Sequence, residues 1–269
     1  MAMTAAQIAA LHPNPPGLWR DEHHRYFYGD RGPLPSVTTI GRIIDKSGPL
    51  VGWAKRETAA CAIRNHDLIA GMLAKGPAGK TEAETWLRGI PDYQRDNAAE
   101  VGTAVHDLVH RDLVGEDIQP NGVEVPYIRA WRRAKEYLGG SSRAMLSEAM
   151  LVNLDMGFGG TLDLGWELDG VPTLLDIKTG HRVYDEVAVQ LSGYDMAEFT
   201  ATPEDPTPRT LPKWQRYAVL HLQPDDWTLI PITVDDESRR AFTAAMALSG
   251  YMKHYAPWAQ GRPIKENVR

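Results

Sequence analysis

Two different periods of hydrophobic and polar positions run along this chain of 269 residues, and they divide it into a helical half and a strand-rich half. Residues 50–74 and 80–88 read as helices separated by a flexible KGPAGK segment. From about Pro91 to Leu113 the apolar residues Val101, Val105, Leu108 and Val109 recur at helical spacing. A further helix is expected from Val125 to Leu138, stopped by Gly139-Gly140. The period then drops to two. AMLSEAMLVN, GFGGTLDLGWEL and VPTLLDIKT read as successive strands joined by turns at Asp155–Gly157 and Asp169-Gly170. A helix follows from about Asp185 to Phe199, then a proline-rich loop, TPEDPTPRTLP. WQRYAVLHLQ and DWTLIPITV form a hairpin, and Asp235 to Tyr255 a closing helix. Near the N-terminus DEHHRYFYGDRGPL reads as a short aromatic hairpin, and Ser36 as the N-cap of a helix reaching about Asp45.

The expected order is helices, then β-β-β-α-β-β, then a helix, which defines a mixed α/β (α+β) class. The organisation expected is an N-terminal hairpin and helical extension (1–96) packed on a core with a C-terminal helix (97–269). The chain is long enough to bury a proper interior. It has no run of about 18 apolar residues, so no membrane span or membrane partner is expected. The segment MAMTAAQIAALHPNPPGLWR lacks a basic start and makes a poor secretory signal. Cys61 is the sole cysteine, which excludes an internal disulfide and a cysteine-built metal cluster. A cytoplasmic location is the expectation.

A formal net charge of −6 does not advertise a polyanion partner. Basic residues nevertheless cluster at Arg129, Arg132, Arg133 and Lys135, and again at Arg209, Lys213 and Arg216. Each cluster reads either as a solvated face or as a set of DNA contacts.

The densest chemistry lies between Gly159 and Tyr194. Strand alternation sends Asp176 and Lys178 to one side of LLDIK and Ile177 to the other. Asp163 lies on the preceding strand at a spacing that suits a hairpin with the two aspartates side by side. Carboxylates held that close repel unless a cation sits between them, and such oxygen-rich sites suit Mg²⁺ or Mn²⁺. A metal there would polarise a phosphodiester and acidify a bound water, with Lys178 orienting that water or stabilising charge on phosphorus. His106 adds an imidazole from the helix upstream, and Gln190 and Tyr194 share one helical face.

The elements G-T-x-x-H (102–106), G-G-T-x-D (159–163), D-I-K-T-G (176–180) and Q-L-x-x-Y (190–194) resemble the PD-(D/E)XK nuclease superfamily, most closely its RecB-like group with the phage Cas4-type exonucleases. PSVTTI and GPLVGW are similar to N-terminal features of those phage proteins. The resemblance covers most of residues 36–200 and implies a restriction-endonuclease-like core, a mixed central sheet flanked by helices. It implies a metal-dependent DNA exonuclease acting at single- or double-stranded ends in recombination, repair or phage DNA processing. Carried over by position, His106, Asp163 and Asp176 become metal ligands, together with the backbone carbonyl of Ile177. Asp163, Asp176, Lys178, Gln190 and Tyr194 form the catalytic set, and Glu148 is an outer-shell or DNA-end group. Cas4 proteins carry four cysteines for an iron–sulfur cluster, so this chain resembles a cluster-free relative. DNA is the implied partner, with a recombinase or single-strand annealing protein, or a homo-oligomer, compatible with the pattern.

Ser36 and Thr38 read as helix caps or as DNA contacts. A nuclease-fold DNA-binding protein without turnover is the alternative function. HDLVH (106–110) is also similar to the H-E-x-x-H helix of zinc proteases. Asp107 there replaces the general-base glutamate, and no third ligand follows at a matching spacing.

Overall fold

The computed structural model describes residues 15–45, 47–254 and 256–259. The reading of residues 1–14 as a poor secretory signal, and of Tyr255 as a helix end, falls outside them. Chain order starts with a small antiparallel sheet of β1 (Leu18–Arg20), β2 (Tyr26–Tyr28) and β3 (Arg31–Leu34). Trp19 and Phe27 stack across β1 and β2 with ring centroids 4.2 Å apart. The aromatic hairpin therefore exists, one strand longer than expected. Ser36 caps the short helix α1 (Val37–Gly41) by accepting the Thr39 amide at 2.9 Å. That helix stops well before Asp45.

Helices α2 (Ser47–Arg64) and α3 (His66–Leu73) lead into α4, a single helix of 37 residues from Pro77 to Leu113. The break expected in KGPAGK falls at residues 74–76, whereas the one expected before Pro91 is absent and the helix expected over 50–74 is split at Asn65. Gly76, at φ +75°, turns the chain so that Pro77 opens the helix at the position where a missing N–H costs nothing. Pro91 lies inside the helix. It removes the amide that would bond the carbonyl of Leu87, and the long helix continues through this one lost bond between the exposed Arg88-Gly89 and Asp92-Tyr93. Residues 96 and 97 fall within this helix. Helix α5 (Val125–Tyr137) follows and ends as expected at Gly139-Gly140.

The central sheet has seven strands in the order β10-β9-β6-β5-β4-β7-β8. Strands β4 (Ala144–Asn153), β5 (Phe158–Leu168) and β6 (Val171–Lys178) form the expected antiparallel meander. Helix α6 (Val187–Asp195) crosses over so that β9 (Arg216–Gln223) runs parallel to β6, and β10 (Asp226–Pro231) returns antiparallel to β9. The sheet is thus mixed. Helix α6 is shorter than expected because Asn153 Nδ2 caps the Met196 carbonyl at 2.7 Å. Phe199–Thr200 (β7) then pairs with the edge of β4, and Arg209–Thr210 (β8) pairs with β7. The proline-rich loop is in this way pinned to the sheet at both ends.

Helices cover both faces. Val105 and Val109 of α4 and Ile128 and Trp131 of α5 pack on Leu164, Trp166, Leu175, Ile177 and Leu220. On the opposite face Val37 and Ile40 of α1, Leu191 and Tyr194 of α6, and Phe242 of α7 (Asp236–His254) pack on Leu151, Leu162, Leu174 and Val219. A short helix α8 (Ala256–Ala259) follows. Burial of these apolar side chains supplies the main drive for the layered arrangement.

Candidate functional site

The β5–β6 ladder runs from Leu168 opposite Val171 to Leu164 opposite Leu175 and ends there. The next pair in that register would be Asp163 and Asp176. Instead the strands part, and Asp163 Oδ2 accepts the Ile177 amide at 2.7 Å. A side-chain carboxylate thus replaces a backbone carbonyl at the fork. On β6, Asp176 and Lys178 project together as the alternation requires, with Lys178 Nζ 2.7 Å from Asp176 Oδ2, while Ile177 goes into the core. The Asp176 side chain is 1% exposed, and its Oδ2 has no aligned hydrogen-bond partner beyond that ion pair.

A third carboxylate comes from a local distortion within β4, whose register on β5 is unchanged across it. Glu148 adopts φ +46°, a left-handed conformation uncommon for a residue with a Cβ. The consecutive residues Ser147 and Glu148 consequently both reach α4. Ser147 Oγ bonds His110 Nδ1 at 2.9 Å, and Glu148 lies 3.5 Å from His106 Nδ1. Asp163 is 3.6 Å from the same nitrogen. His106, Glu148 and Asp163 each offer a ligand atom, and these atoms lie within 4.8 Å of one another. The opposite edge of the His106 ring, Nε2, bonds the Ile177 carbonyl at 3.1 Å. That carbonyl was expected among the metal ligands; here it orients the imidazole. Glu148 takes a place inside the donor cluster, and Asp176 sits beside it with Lys178. His110 is engaged by Ser147, so the two histidines of HDLVH do not converge on one point.

Helix α6 closes the site. Gln190 Nε2 donates to Asp176 Oδ1 at 2.9 Å and to the Tyr194 hydroxyl at 3.1 Å, while Lys178 Nζ donates to Gln190 Oε1 at 3.3 Å. The double glycine of GGTLD has a steric reason. A Cβ on Gly160 would stand 2.9 Å from Tyr194 Cε1, and one on Gly159 would stand 2.6 Å from Tyr26 Cβ. Tyr26 reaches Thr161 Oγ1 at 2.7 Å, which fixes the small sheet over the start of β5.

Burial and like charge dominate the electrostatics. Burial alone would favour neutral His106, but Asp163, Glu148 and Asp176 overcome it and raise its pKa to about 9. Burial raises the Asp176 carboxyl to about 6 against the opposing pull of Lys178, with Asp163 pushing the same way as burial. Asp163 is also raised, chiefly by burial. The Lys178 ammonium loses to burial but gains more from Asp176 and Asp163, and its pKa rises. Tyr194 is held far above the ordinary phenol value by burial and the two aspartates. Three carboxylates thus face one lysine and one imidazole.

These groups line one cavity of about 380 Å³ that is also bounded by Arg20, Ser36, Thr38 and Thr179. Ser36 is therefore both a cap and a wall residue. Arg20 and Tyr26 carry no local signal for this site, whereas Thr161 lies inside the GGTLD element and Thr179 inside D-I-K-T-G, both without an expected role. Gly102 of the G-T-x-x-H element lets α4 approach, since its Cβ would be 3.2 Å from Thr179 Oγ1. His221 of β9 bonds the Gly180 carbonyl at 2.6 Å.

The basic clusters are elsewhere. Arg129 is paired with Asp225 at 2.6 Å, Arg133 bonds the Asp225 carbonyl, and Lys135 pairs with Asp112 at 2.5 Å. Arg132 is exposed on the same helix. Arg216 pairs with Asp169 and stands opposite Thr173 at the start of β6, the far end from Lys178. Lys213 precedes it and is exposed, and Arg209 is bound to Asp205. None of these residues lines the carboxylate cavity. Compared with protein-family models and with the curated proteins, the chain matches none. No helix among the described residues is long and apolar enough to cross a membrane.

Proposed function

We propose that the chain is a divalent-metal-dependent deoxyribonuclease of the PD-(D/E)XK type that hydrolyses phosphodiester bonds at DNA ends. The observation that carries this reading is the ion pair of buried Asp176 with half-buried Lys178 at a strand end, set against the Asp163–Glu148–His106 cluster in a single cavity. The mixed sheet, with β4, β5 and β6 antiparallel and β9 parallel to β6, supports the corresponding fold.

The donor set fits Mg²⁺ or Mn²⁺. Its carboxylate oxygens outnumber the local cations, buried Asp176 Oδ2 is met by the Lys178 ammonium at 2.7 Å, and the one nitrogen donor favours Mn²⁺ somewhat. A bound cation would neutralise this excess, polarise the scissile phosphate and lower the pKa of a water. His106, Glu148 and Asp163 would hold it, with Asp176 beside them. The His106 ring is already aimed by its Nε2 bond to Ile177, the outer contact that fixes an imidazole donor. Lys178 donates toward the attacking water and takes up charge developing on the phosphoryl oxygens. Gln190 holds Asp176 and Lys178 in their mutual geometry, and Tyr194, kept as a neutral phenol, supports Gln190. Arg20, Ser36 and Thr38 form a wall that offers a cation and hydroxyls to a phosphate.

Linear, circular and end-blocked DNA incubated with Mg²⁺ or Mn²⁺ test this reading together. Loss of linear DNA with the circle spared is the expected pattern. No cleavage in either metal would leave the chain a binding protein without turnover.

A further inference from the structure

A second cavity of about 530 Å³ adjoins the carboxylate site and shares Ala98, Thr179 and Gly180 with it. Its wall is built from Tyr93, Gln94 and Asn97 of α4, Tyr127 of α5, and His181 just after the D-I-K-T-G element. No aspartate, glutamate, lysine or arginine lines it. The neighbouring cavity is the opposite, with three carboxylates against Arg20, Lys178 and His106. Two joined compartments of such different chemistry suit a ligand with alternating charged and neutral parts.

We infer that the neutral groove holds nucleobases of an unpaired strand whose phosphate occupies the carboxylate site. The inference rests on the phosphodiesterase reading of that site. A phosphate in the groove would meet no fixed cation, whereas bases need ring faces to stack on and amides to hydrogen-bond, and the groove offers both. Tyr93 is 70% exposed on the wall of the groove, so its ring serves no core. The volume lies within the roughly 300–1,000 Å³ of ordinary ligand sites, enough for about one or two bases. A duplex keeps its base faces stacked inside, so the strand entering here is single. The shared residues 179 and 180 place the groove one step from Lys178, where the nucleotide flanking the reacting phosphate must lie.

The test compares oligothymidylate with an abasic strand of equal length, which keeps the phosphates and lacks the bases. Affinities are measured by fluorescence anisotropy on the full chain in Ca²⁺, with Tyr93→Ala, Tyr93→Phe and Asn97→Ala alongside wild type. Wild type should prefer oligothymidylate by about fivefold to a hundredfold, the span expected for one stacked base. Tyr93→Ala should lose that preference, Tyr93→Phe should keep it, and Asn97→Ala should reduce it. Equal affinity of wild type for the two strands, or an undiminished preference in Tyr93→Ala, overturns the inference. Failure of the nuclease reading looks different: no DNA is cut in Mg²⁺ or Mn²⁺, yet the base preference and its dependence on Tyr93 persist.

Discussion

His106 Nε2 bonds the carbonyl oxygen of Ile177 at 3.1 Å and so ties α4 to the end of β6. The contact leaves Nδ1 facing Glu148 and Asp163. It also makes the imidazole a proton-loaded partner of the carboxylates when no cation is bound, with a pKa raised from 6.5 to about 9.

That shift gives the metal response a pH dependence of definite sign. A raised folded-state pKa stabilises the metal-free chain fully below pH 6.5, and the contribution disappears as pH rises through about 9. A cation must displace the same proton. The rise in melting temperature on adding Mn²⁺ is therefore expected to grow between pH 6.5 and pH 9, and His106→Ala should flatten the trend. A shift that is constant across this range in wild type would count against His106 as a ligand.

Asp163 serves both the sheet and the site. Asp163→Asn retains an oxygen that can accept the Ile177 amide, whereas Asp163→Ala leaves that amide without its partner. The alanine variant should lose about 1–3 kcal/mol of stability in urea denaturation, and the asparagine variant much less. Both should lose DNA cleavage.

Removing Asp176 should separate stability from activity. Its carboxyl is raised to about 6 in the fold, so the ionised form at pH 7 opposes folding. Asp176→Asn is expected to raise the melting temperature of the metal-free chain at pH 8, where the wild-type charge is complete, and to abolish cleavage. A lower melting temperature would show that the ion pair with Lys178 outweighs the burial of the charge.

Lys178→Ala should cut cleavage about 10²–10³-fold, the usual effect of removing one donor to a developing negative charge. The Mn²⁺-induced melting shift should survive, because Lys178 is no ligand. Loss of both together would move Lys178 into the cation-binding set.

Gly160→Ala pushes a methyl to 2.9 Å from the Tyr194 ring, 3.1 Å from Val37 and 3.3 Å from Leu151. Overpacking of this kind costs about 1–3 kcal/mol. Because Tyr194 braces Gln190, cleavage should fall as well, even at temperatures where circular dichroism reports a folded chain.

Much of this site could be read from local periodicity. A period of two puts Asp176 and Lys178 on one side of β6, and a short hairpin brings Asp163 next to them. Alternation fails at Glu148, where a left-handed backbone sends consecutive residues toward α4, and nothing in SEA announces that turn. Arg20 and Tyr26 join through a small sheet laid over β5, a contact between segments far apart in sequence. Lys213 and Arg216 looked useful as charges. The parallel register of β9 on β6, set by a long crossover, delivers them to the wrong end of the sheet. Pro91 likewise suggested a helix start, yet α4 runs through it from Pro77.

The fork between β5 and β6 sets how this protein can change over time. An ordinary sheet position tolerates many residues so long as it alternates. Here the carboxylate that holds the strands apart is also a donor in the cavity, so sequence drift at Asp163 is constrained twice, by architecture and by chemistry. On the function proposed above, loss of catalysis would release Asp176 and Lys178 from their roles, whereas Asp163 would still be needed to accept the Ile177 amide at the fork.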